Sequence, residues 1–356
     1  MLLILILSFS EEQITAHPIS IKGQFWVNGL TRNDVPSGQS SFESKIGYIP
    51  TFSLFKELSN NQLVDMEWAY RLDRTYFGVS LLHNKASHHR YWVRYSNDKL
   101  EARLGLQKIV FGPSQVLRSL SWFDTIDLRD PTGQTDGVEA FRLRWFPSNS
   151  LSLWSWAINN DQNTLSYGSR AELSNSTGEW GLTYHQDPSK SLQMVGLDNT
   201  PNFGSHKCLA IDYRYDGFIG FWNESALISS DRSEIIMATV GSDYTMPIAS
   251  GILVTAEYMS ISNKTDSVES SQSYAALMAS IPLGMVHQLM FISQFNLEEN
   301  HSYSYLRWRS IYDHYSLNFI LSISPGRADN NNLEESVSRS LAGSGTGLQF
   351  MFIYNH

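Results

Sequence analysis

Apolar and polar residues alternate along three neighbouring segments of this chain, residues 90–95, 100–112 and 137–146. Because successive side chains of a β-strand point to opposite faces, each segment has one predominantly apolar face and one face that carries arginine. The arginines on the polar faces are Arg90, Arg94, Arg103, Arg142 and Arg144. A barrel with lipid outside and water inside accommodates both faces. The pattern therefore predicts a transmembrane β-barrel.

Similar alternating segments recur along the whole chain, with turn residues between them. They cover residues 19–28, 45–55, 63–73, 76–83, 90–95, 100–111, 138–146, 151–158, 165–173, 180–185, 206–213, 218–224, 234–244, 251–261, 274–281, 286–295, 303–310, 315–324 and 347–354. No segment shows a convincing helical period, and no apolar run is long enough for a transmembrane helix. Spanning strands must close on themselves, because lipid cannot satisfy an open sheet edge. We predict an all-β fold with a single transmembrane antiparallel β-barrel.

The positions of the loops predict the number of strands. In bacterial barrels both termini usually lie on the periplasmic side, where the turns are short, and the outer loops are longer. Counting back from the last segment puts residues 325–346 and 112–137 outside, and the tight turn 312–314 inside. This scheme gives 18 strands and leaves residues 19–28 over, so either an N-terminal segment is over-split or the first segment lies outside the wall. We predict 18 strands, with 16 as the alternative.

The first 17 residues resemble a secretory signal peptide. Their apolar run extends from Leu2 to Leu7, but it is short and no basic residues precede it. We interpret residues 1–17 as a signal-like segment whose start is truncated or misassigned, and residues 18–356 as the barrel. A buried N-terminal strand is the alternative.

Composition agrees with this interpretation and excludes several functions. Charged residues make up 17% of the chain and aromatic residues 13%, whereas soluble globular proteins contain about 25% charged residues. The net charge of −9 argues against a nucleic-acid partner, since phosphate binding requires a basic surface. The single cysteine, Cys208, excludes a disulfide-stapled fold and a cysteine-rich metal site.

No constellation for catalysis is evident in the sequence. It contains no phosphate-cradling glycine loop, no GxSxG elbow and no HExxH motif. Ser302 follows His301 directly, so a strand would send the two side chains to opposite faces. His83, His88 and His89 lie close together, but such a loop cluster at an outer surface is more often solvated than metal-binding. We predict no enzyme activity, no metal and no cofactor.

The region from residue 100 to residue 145 carries a specific set of short motifs. These are Gly105 and Gln107 in a strand, the pair Phe111 and Gly112, the pair Asp130 and Pro131 in a loop, and then Gly137, Val138, Glu139 and Ala140 at the start of a strand. The set resembles the large outer-membrane barrels of the porin and alginate-export type. The resemblance implies a barrel in the outer membrane of a Gram-negative-type bacterium that conducts solutes or exports a polysaccharide.

The last segment supports the same interpretation. Leu348, Phe350, Phe352 and Tyr354 fall on one face near the C-terminal end of the sequence. This resembles the final strand of exported barrels, which the outer-membrane assembly machinery recognises. Aromatic residues are also expected at the two lipid interfaces; the examples are Tyr91, Tyr95, Trp145, Tyr315 and Tyr354.

Residues 112–136 are too long for a hairpin and are predicted to fold into the lumen after an early strand. The charged residues of this segment include Asp124, Asp127, Arg129 and Asp130. Our hypothesis is that they face the inward arginines across a constriction, where opposed charges create a transverse field and set ion preference. The alternative is that the acids and arginines form salt bridges that attach the loop to the wall.

Aromatic residues of the same loop have two interpretations. Trp122 and Phe123 either stack on the sugar rings of a passing solute or anchor the loop to the wall. A second pair of arginines, Arg307 and Arg309, is predicted to face the lumen and to be solvated there.

Together these patterns favour a channel in the bacterial outer membrane for passive or facilitated passage of a small polar solute. Polysaccharide export or surface assembly is the first alternative. A soluble β-rich carbohydrate-binding protein is the second, and it would turn its apolar faces inward. The partners we expect are the lipid bilayer, the assembly machinery during biogenesis, and the solute or polysaccharide. The sequence shows no patch that supports an oligomer.

Overall fold

The computed structural model describes residues 18–35, 40–58, 61–160, 164–189, 192–195, 200–265, 269–326 and 344–356. The predicted signal-like segment 1–17 lies outside these ranges. The strands are β1 (Ile19–Arg32), β2 (Phe42–Leu58), β3 (Gln62–Phe77), β4 (Ser80–Ser96), β5 (Leu100–Gln107), β6 (Val138–Ser148), β7 (Leu151–Asn159), β8 (Leu165–Asn175), β9 (Gly178–Asp187), β10 (Leu192–Val195), β11 (Thr200–Phe203), β12 (His206–Asp216), β13 (Gly220–Ser230), β14 (Ser233–Met246), β15 (Ile252–Thr265), β16 (Glu269–Leu283), β17 (His287–Asn296), β18 (His301–Ile311), β19 (Tyr315–Ile323) and β20 (Thr346–Asn355). None of the described residues belongs to a helix long and apolar enough to cross a membrane.

One sheet of 18 strands closes into a barrel. Consecutive strands pair antiparallel, and β1 pairs with both β2 and β20, which closes the ring. β9 pairs directly with β12, because β10 and β11 form a separate two-stranded hairpin. The prediction of a single antiparallel barrel with 18 strands is confirmed.

The predicted separate strand at residues 76–83 is wrong, because these residues form the hairpin between β3 and β4. β3 ends at Phe77 and β4 starts at Ser80. Gly78 makes the turn with a φ of 55°, a left-handed conformation that glycine adopts without steric strain. Residues 19–28 lie in the wall as part of β1. The leftover strand of the sequence count therefore came from over-splitting the β3–β4 region.

The two ends of the barrel differ. At one end His356 and Gly23 exchange backbone hydrogen bonds of 3.0 Å in both directions, and the connections 97–99, 149–150, 217–219, 284–286 and 312–314 are short. We call this the short-turn end. The opposite loop end carries the long connections 108–137 and 188–205, in agreement with the predicted sides of these segments. By the usual rule for bacterial barrels, we assign the loop end to the cell exterior.

The arginine-bearing faces of β4, β5 and β6 point into the lumen, as predicted. Arg94 lies opposite Arg103, which lies opposite Arg142. The other face points outward; Leu104, for example, is 63% exposed in the isolated barrel. An apolar outer face excludes the soluble alternative, which would turn these residues inward.

The largest apolar cluster lies inside the barrel, where the segment 108–137 meets the wall. Ile109, Leu117 and Leu120 of this segment are buried against wall residues that include Met237 and Met259. The prediction of a loop folded into the lumen after an early strand is therefore confirmed.

Candidate constriction site

The loop enters the lumen partway up the wall because β5 is short. β5 has 8 residues, whereas the neighbouring β4 has 17. At the end of β5 the side chain of Gln107 is buried, and its amide donates a hydrogen bond of 2.8 Å to the Ala140 carbonyl on β6. The strands thus remain tied together where the chain leaves the wall. We call residues 108–137 the constriction loop.

A buried carboxylate on β13 holds the first part of the constriction loop. Glu224 is fully buried and accepts hydrogen bonds from three backbone N–H groups. The donors are Ser114, Ser119 and Leu120, at 2.7, 2.9 and 3.2 Å. Gly112 approaches the same carboxylate with a φ of 91°, and a Cβ at this position would collide with Glu224 Oε1.

A second buried carboxylate, on β15, holds the residues in between. Glu257 is 4% exposed and accepts hydrogen bonds from three consecutive backbone N–H groups. The donors are Gln115, Val116 and Leu117, at 2.7, 3.0 and 2.6 Å. The indole N–H of Trp222 also donates to Glu257, at 3.2 Å. Hydrogen bonds to a charged acceptor are stronger than neutral ones, so these two carboxylates fix the loop across the lumen from β5.

Further along, the constriction loop contacts two other sectors of the wall. On β18, Tyr305 donates a hydrogen bond of 2.7 Å from its hydroxyl group to the Arg129 carbonyl. On the returning limb, Gln134 hydrogen-bonds to Gln24 of β1 at 2.8 Å and to His89 of β4 at 2.9 Å. The loop therefore spans the interior from β5 to β13–β15, then to β18, and back to β1 and β4.

The predicted loop acids find their partners inside the loop. Asp124 pairs with Arg118, and Asp127 accepts a hydrogen bond of 2.9 Å from Arg129. Asp130 accepts from the backbone N–H and the hydroxyl group of Thr132 at 2.9 and 2.7 Å. The alternative of salt bridges from these acids to the wall arginines is therefore wrong for all three. Wall carboxylates instead bind the loop backbone, as Glu224 and Glu257 do, and the wall cation Lys85 lies 3.6 Å from Asp136 at the end of the loop.

The guanidinium of Arg129 at the loop tip keeps its charge. Desolvation lowers the pKa of Arg129, but the hydrogen bond and the charge of Asp127 outweigh it, so the pKa of Arg129 lies above its ordinary value. A fixed ion pair thus stands at the tip of the constriction loop.

Four of the five predicted wall arginines form one inward cluster. Arg94 donates to Asp65 at 2.8 and 2.7 Å, and Glu101 lies between the others. Its distances to Arg142, Arg94 and Arg103 are 2.5, 3.5 and 3.7 Å. The guanidinium of Arg144 lies 3.9 Å from the ring centre of Trp154, and that of Arg103 lies 4.3 Å from the ring centre of Trp92. Three of these arginines thus form ion pairs with two carboxylates, Asp65 and Glu101, and Arg144 lies against an aromatic ring.

The fifth predicted arginine, Arg90, has a different position. A bulge in the pairing of β3 with β4 leaves both His89 and Arg90 buried. Arg90 donates to the carbonyl of Thr135 in the returning limb of the constriction loop. It supports the loop and does not extend the arginine cluster.

The aromatic pair of the loop packs among other rings. Phe123 lies 4.8 Å from His185 and 5.8 Å from Phe111, and Trp122 lies 5.9 Å from Phe111, between ring centroids. The indole N–H of Trp122 donates to the Ser119 carbonyl at 3.2 Å. This geometry matches the alternative in which the pair anchors the loop, and contact with sugar stays a prediction.

The constriction loop separates two spaces at the loop end. A cavity of about 340 Å³ lies between the loop and the wall formed by β9, β12–β15 and β17, and Trp122, His185 and Cys208 line it. A larger space of about 890 Å³ opens on the other side. Its charged lining residues are Asp127, Arg129 and Asp130 of the loop and Arg32, Glu43, Lys45 and His83 of the wall. The charges that share this space with the loop acids thus belong to β1, β2 and β4, and the arginine cluster is not among them.

The histidines that were expected in an outer loop lie on β4 instead. His89 is buried towards the lumen and His88 is exposed on the outer face, so they cannot act together. In the part of the chain that is described, no group of three or more His, Cys, Asp or Glu side chains is arranged to hold a metal ion.

The sequence interpretation missed Glu224 and Glu257, which contribute most to holding the loop. Each is the only carboxylate of its strand, and each shares its inward face with buried apolar residues such as Trp222 and Met259. The sequence did contain a signal for them. Each is a single charged residue on the inward face of its strand, with no basic residue on that face.

No family model matches this chain, and no curated protein is similar to it in sequence. Among solved structures, OccK5 (OpdH) of Pseudomonas aeruginosa has a TM-score of 0.59 at 7% identity, over 95% of this chain and 97% of that one. OmpF of Salmonella typhi in complex with daunomycin has a TM-score of 0.55 at 11% identity, over 95% and 97%. A variant of the porin of Rh. blastica has a TM-score of 0.51 at 11% identity, over 95% and 100%. The chain therefore has the fold of Gram-negative outer-membrane porins and channels.

Proposed function

We propose that the protein is an outer-membrane channel for passive passage of small polar solutes, and that the constriction loop sets its width. The observation that carries this proposal is the loop's position. Six backbone hydrogen bonds to Glu224 and Glu257 hold it across the lumen of a closed barrel. An element fixed in this way reduces the open cross-section.

The arginine cluster supports a preference for anions. Arg94, Arg103, Arg142 and Arg144 face the lumen, and among the described residues their ion-pair partners are Asp65 and Glu101. Local charge along a pore, and not the net charge of the chain, determines which ions enter. An excess of guanidinium groups lowers the energy of an anion in this part of the lumen, so solutes with a carboxylate or phosphate group are favoured.

The packing of the loop aromatics favours a small solute over a polysaccharide. Trp122 and Phe123 use their rings against Phe111, His185 and each other, so they do not form a free stacking platform. In this proposal the barrel lies in the lipid bilayer of the outer membrane, and the assembly machinery inserts it.

Single-channel recording of the refolded protein in a planar bilayer under a KCl gradient tests the proposal. We expect stepwise conductance with anion preference, and a higher conductance when residues 113–135 are replaced by a short glycine-serine linker. A matched control replaces the loop-end turn 297–300, which lies outside the lumen, with the same linker chemistry. Unchanged conductance in the loop variant would refute the constriction role, and cation preference in the native protein would refute the role of the arginines.

A further inference from the structure

The cavity behind the constriction loop has an apolar wall. We call this space of about 340 Å³ the side cavity. On the barrel side its apolar lining residues are Cys208, Ile228, Met237, Met259 and Ile292. The interior of an outer-membrane barrel is usually polar, and apolar side chains are stabilised by contact with other apolar groups and not by water. The side cavity therefore suits a compound with an apolar face.

Sulfur-containing side chains make this wall favourable for an aromatic ring. Met237, Met259 and Cys208 all line the side cavity. The thioether of methionine makes favourable contacts with aromatic rings, and its flexible side chain adapts to their shape. A cavity of about 150 Å³ holds one benzene ring, so the side cavity has room for about two fused rings.

The charged loop residues that line the side cavity are matched in pairs. Arg118 pairs with Asp124, and their side chains are only 7% and 1% exposed. Arg129 pairs with Asp127 in the same way, although this pair is more exposed. Because each loop cation already has its own carboxylate, the loop offers no unmatched charge to an ion. An uncharged compound is therefore favoured.

The side cavity opens towards the main passage beside β17. Four residues line both the side cavity and the larger space on the other side of the loop, namely Asp127, Arg129, Ile292 and Gln294. A solute in the passage can therefore enter the side cavity at this point. The side chain of Gln294 makes no hydrogen bond to any residue that the structure describes. Its amide thus offers both a donor and an acceptor at the opening.

We propose that the side cavity binds an uncharged aromatic compound of two fused rings that carries one N–H or O–H group. The rings lie against Met237 and Met259, and the polar group donates a hydrogen bond to the amide oxygen of Gln294. This site is separate from solute passage, because its ligand is held behind the constriction loop. The proposal therefore stands whether or not the loop limits conductance.

Fluorine NMR of the refolded protein tests binding, with indole as the probe. Incorporation of 5-fluorotryptophan labels all ten tryptophans. Trp122 lines the side cavity, whereas Trp26 of β1 lies in a separate buried cluster, and each signal is identified by its loss in the corresponding Trp→Phe variant. The Trp122 signal should shift with indole concentration and reach saturation, while the Trp26 signal stays in place. A Trp122 signal that does not move, or that shifts without saturating, would overturn the proposal.

A matched pair of substitutions tests the location of the site. Met237→Trp places an indole ring in the side cavity, and Met351→Trp places the same ring at the larger space. Among variants that retain the mobility of a folded barrel on a gel, Met237→Trp should lose the saturable shift of Trp122 and Met351→Trp should keep it. Equal binding of indole by the two folded variants would refute the location.

The polar contact is tested separately, and this test also decides the case if Met237→Trp does not fold. Gln294→Leu removes the amide and should raise the Kd for indole about two- to tenfold, the range expected for one hydrogen bond. N-Methylindole has no N–H group, so its Kd should not rise with the same substitution. An unchanged Kd for indole, or an equal rise for both compounds, would contradict the proposed hydrogen bond to Gln294.

Discussion

The two wall carboxylates make the position of the constriction loop directly testable, and Glu257→Gln is the most informative change. The substitution preserves the size of the side chain, but it replaces one acceptor oxygen with an NH₂ group that can only donate. The two oxygens of Glu257 serve different donors. Oε1 accepts from Gln115 and Trp222, and Oε2 accepts from Val116 and Leu117. Either orientation of the amide therefore places a donor against two N–H groups.

The expected magnitude follows from these contacts. Two hydrogen bonds to a charged acceptor are lost, each with a contribution of about 1.5–3 kcal/mol. Water in the lumen replaces part of this once the loop moves, so we expect a loss of about 2–3 kcal/mol in the free energy of loop docking. That loss lowers the ratio of docked to undocked loop roughly 30- to 150-fold. The barrel itself should remain folded, because Glu257 retains its strand pairing.

Single-channel recording measures this ratio. The native channel should show one dominant conductance, whereas the Glu257→Gln channel should add brief openings of higher conductance and greater open-channel noise. The largest neutral polymer that reduces the current should also increase in size. A Glu224→Gln variant should behave similarly, since its carboxylate accepts three loop N–H groups.

Asp212→Asn is the matched control for Glu257→Gln. Asp212 is also a buried inward carboxylate, but its bonds go to Arg170 of the wall at 2.6 and 2.9 Å. This variant should lower heat resistance without the additional openings. If Glu257→Gln gave the native conductance, noise and polymer cut-off, or if Asp212→Asn gave the same openings, the anchoring role of Glu257 would be refuted.

Three further outcomes follow from the same geometry. Gly112→Ala should produce the openings expected for Glu224→Gln, because the added Cβ collides with Glu224 Oε1 and the φ of 91° is strained for alanine; single-channel noise measures this. Gly105→Ala should lower the heat resistance of the barrel by several degrees on a gel-shift assay, because the φ of 121° and the approach to the Tyr91 carbonyl both require glycine. Arg144→Gln should reduce the ratio of anion to cation permeability roughly two- to threefold, since it removes one unpaired cation from the cluster; the reversal potential under a KCl gradient measures this, and an unchanged potential would contradict it.

The barrel was predictable because its pattern is local. In the segment with Arg90, Trp92 and Arg94, the alternation alone separates the lumen from the lipid, and no distant contact is needed. The same rule places Leu104 outside and Arg103 inside, as found. The hairpin at Gly78 was missed for an equally local reason. Its residues Phe-Gly-Val-Ser contain neither Asn-Gly nor Asp-Gly, the usual signals of a two-residue turn.

The partners of the constriction loop could not be predicted in the same way. Glu257 is 140 to 142 residues from its donors in the loop, and nothing in the local pattern shows which strands face the loop. Judged by charge alone, the acids of the loop and the arginines of the wall are complementary. The structure instead pairs Asp124 with Arg118 inside the loop and Glu101 with Arg142 inside the wall.

The sequence position of a lone carboxylate does not by itself show whether the side chain faces the lumen or the lipid. Its hydrogen-bond partners must be known as well. Glu139, Glu224 and Glu257 are each the only carboxylate of their strand, yet the first points outward and the other two inward. A shift of one residue in register would exchange these positions, since every side chain of a strand changes face. On the inward face, Glu224 has no basic residue on its own strand, and its hydrogen bonds come from backbone N–H groups of the loop, because a buried carboxylate needs hydrogen bonds. On the outward face the same requirement is met within the wall, because the Tyr91 hydroxyl and the Asn159 amide donate hydrogen bonds to Glu139.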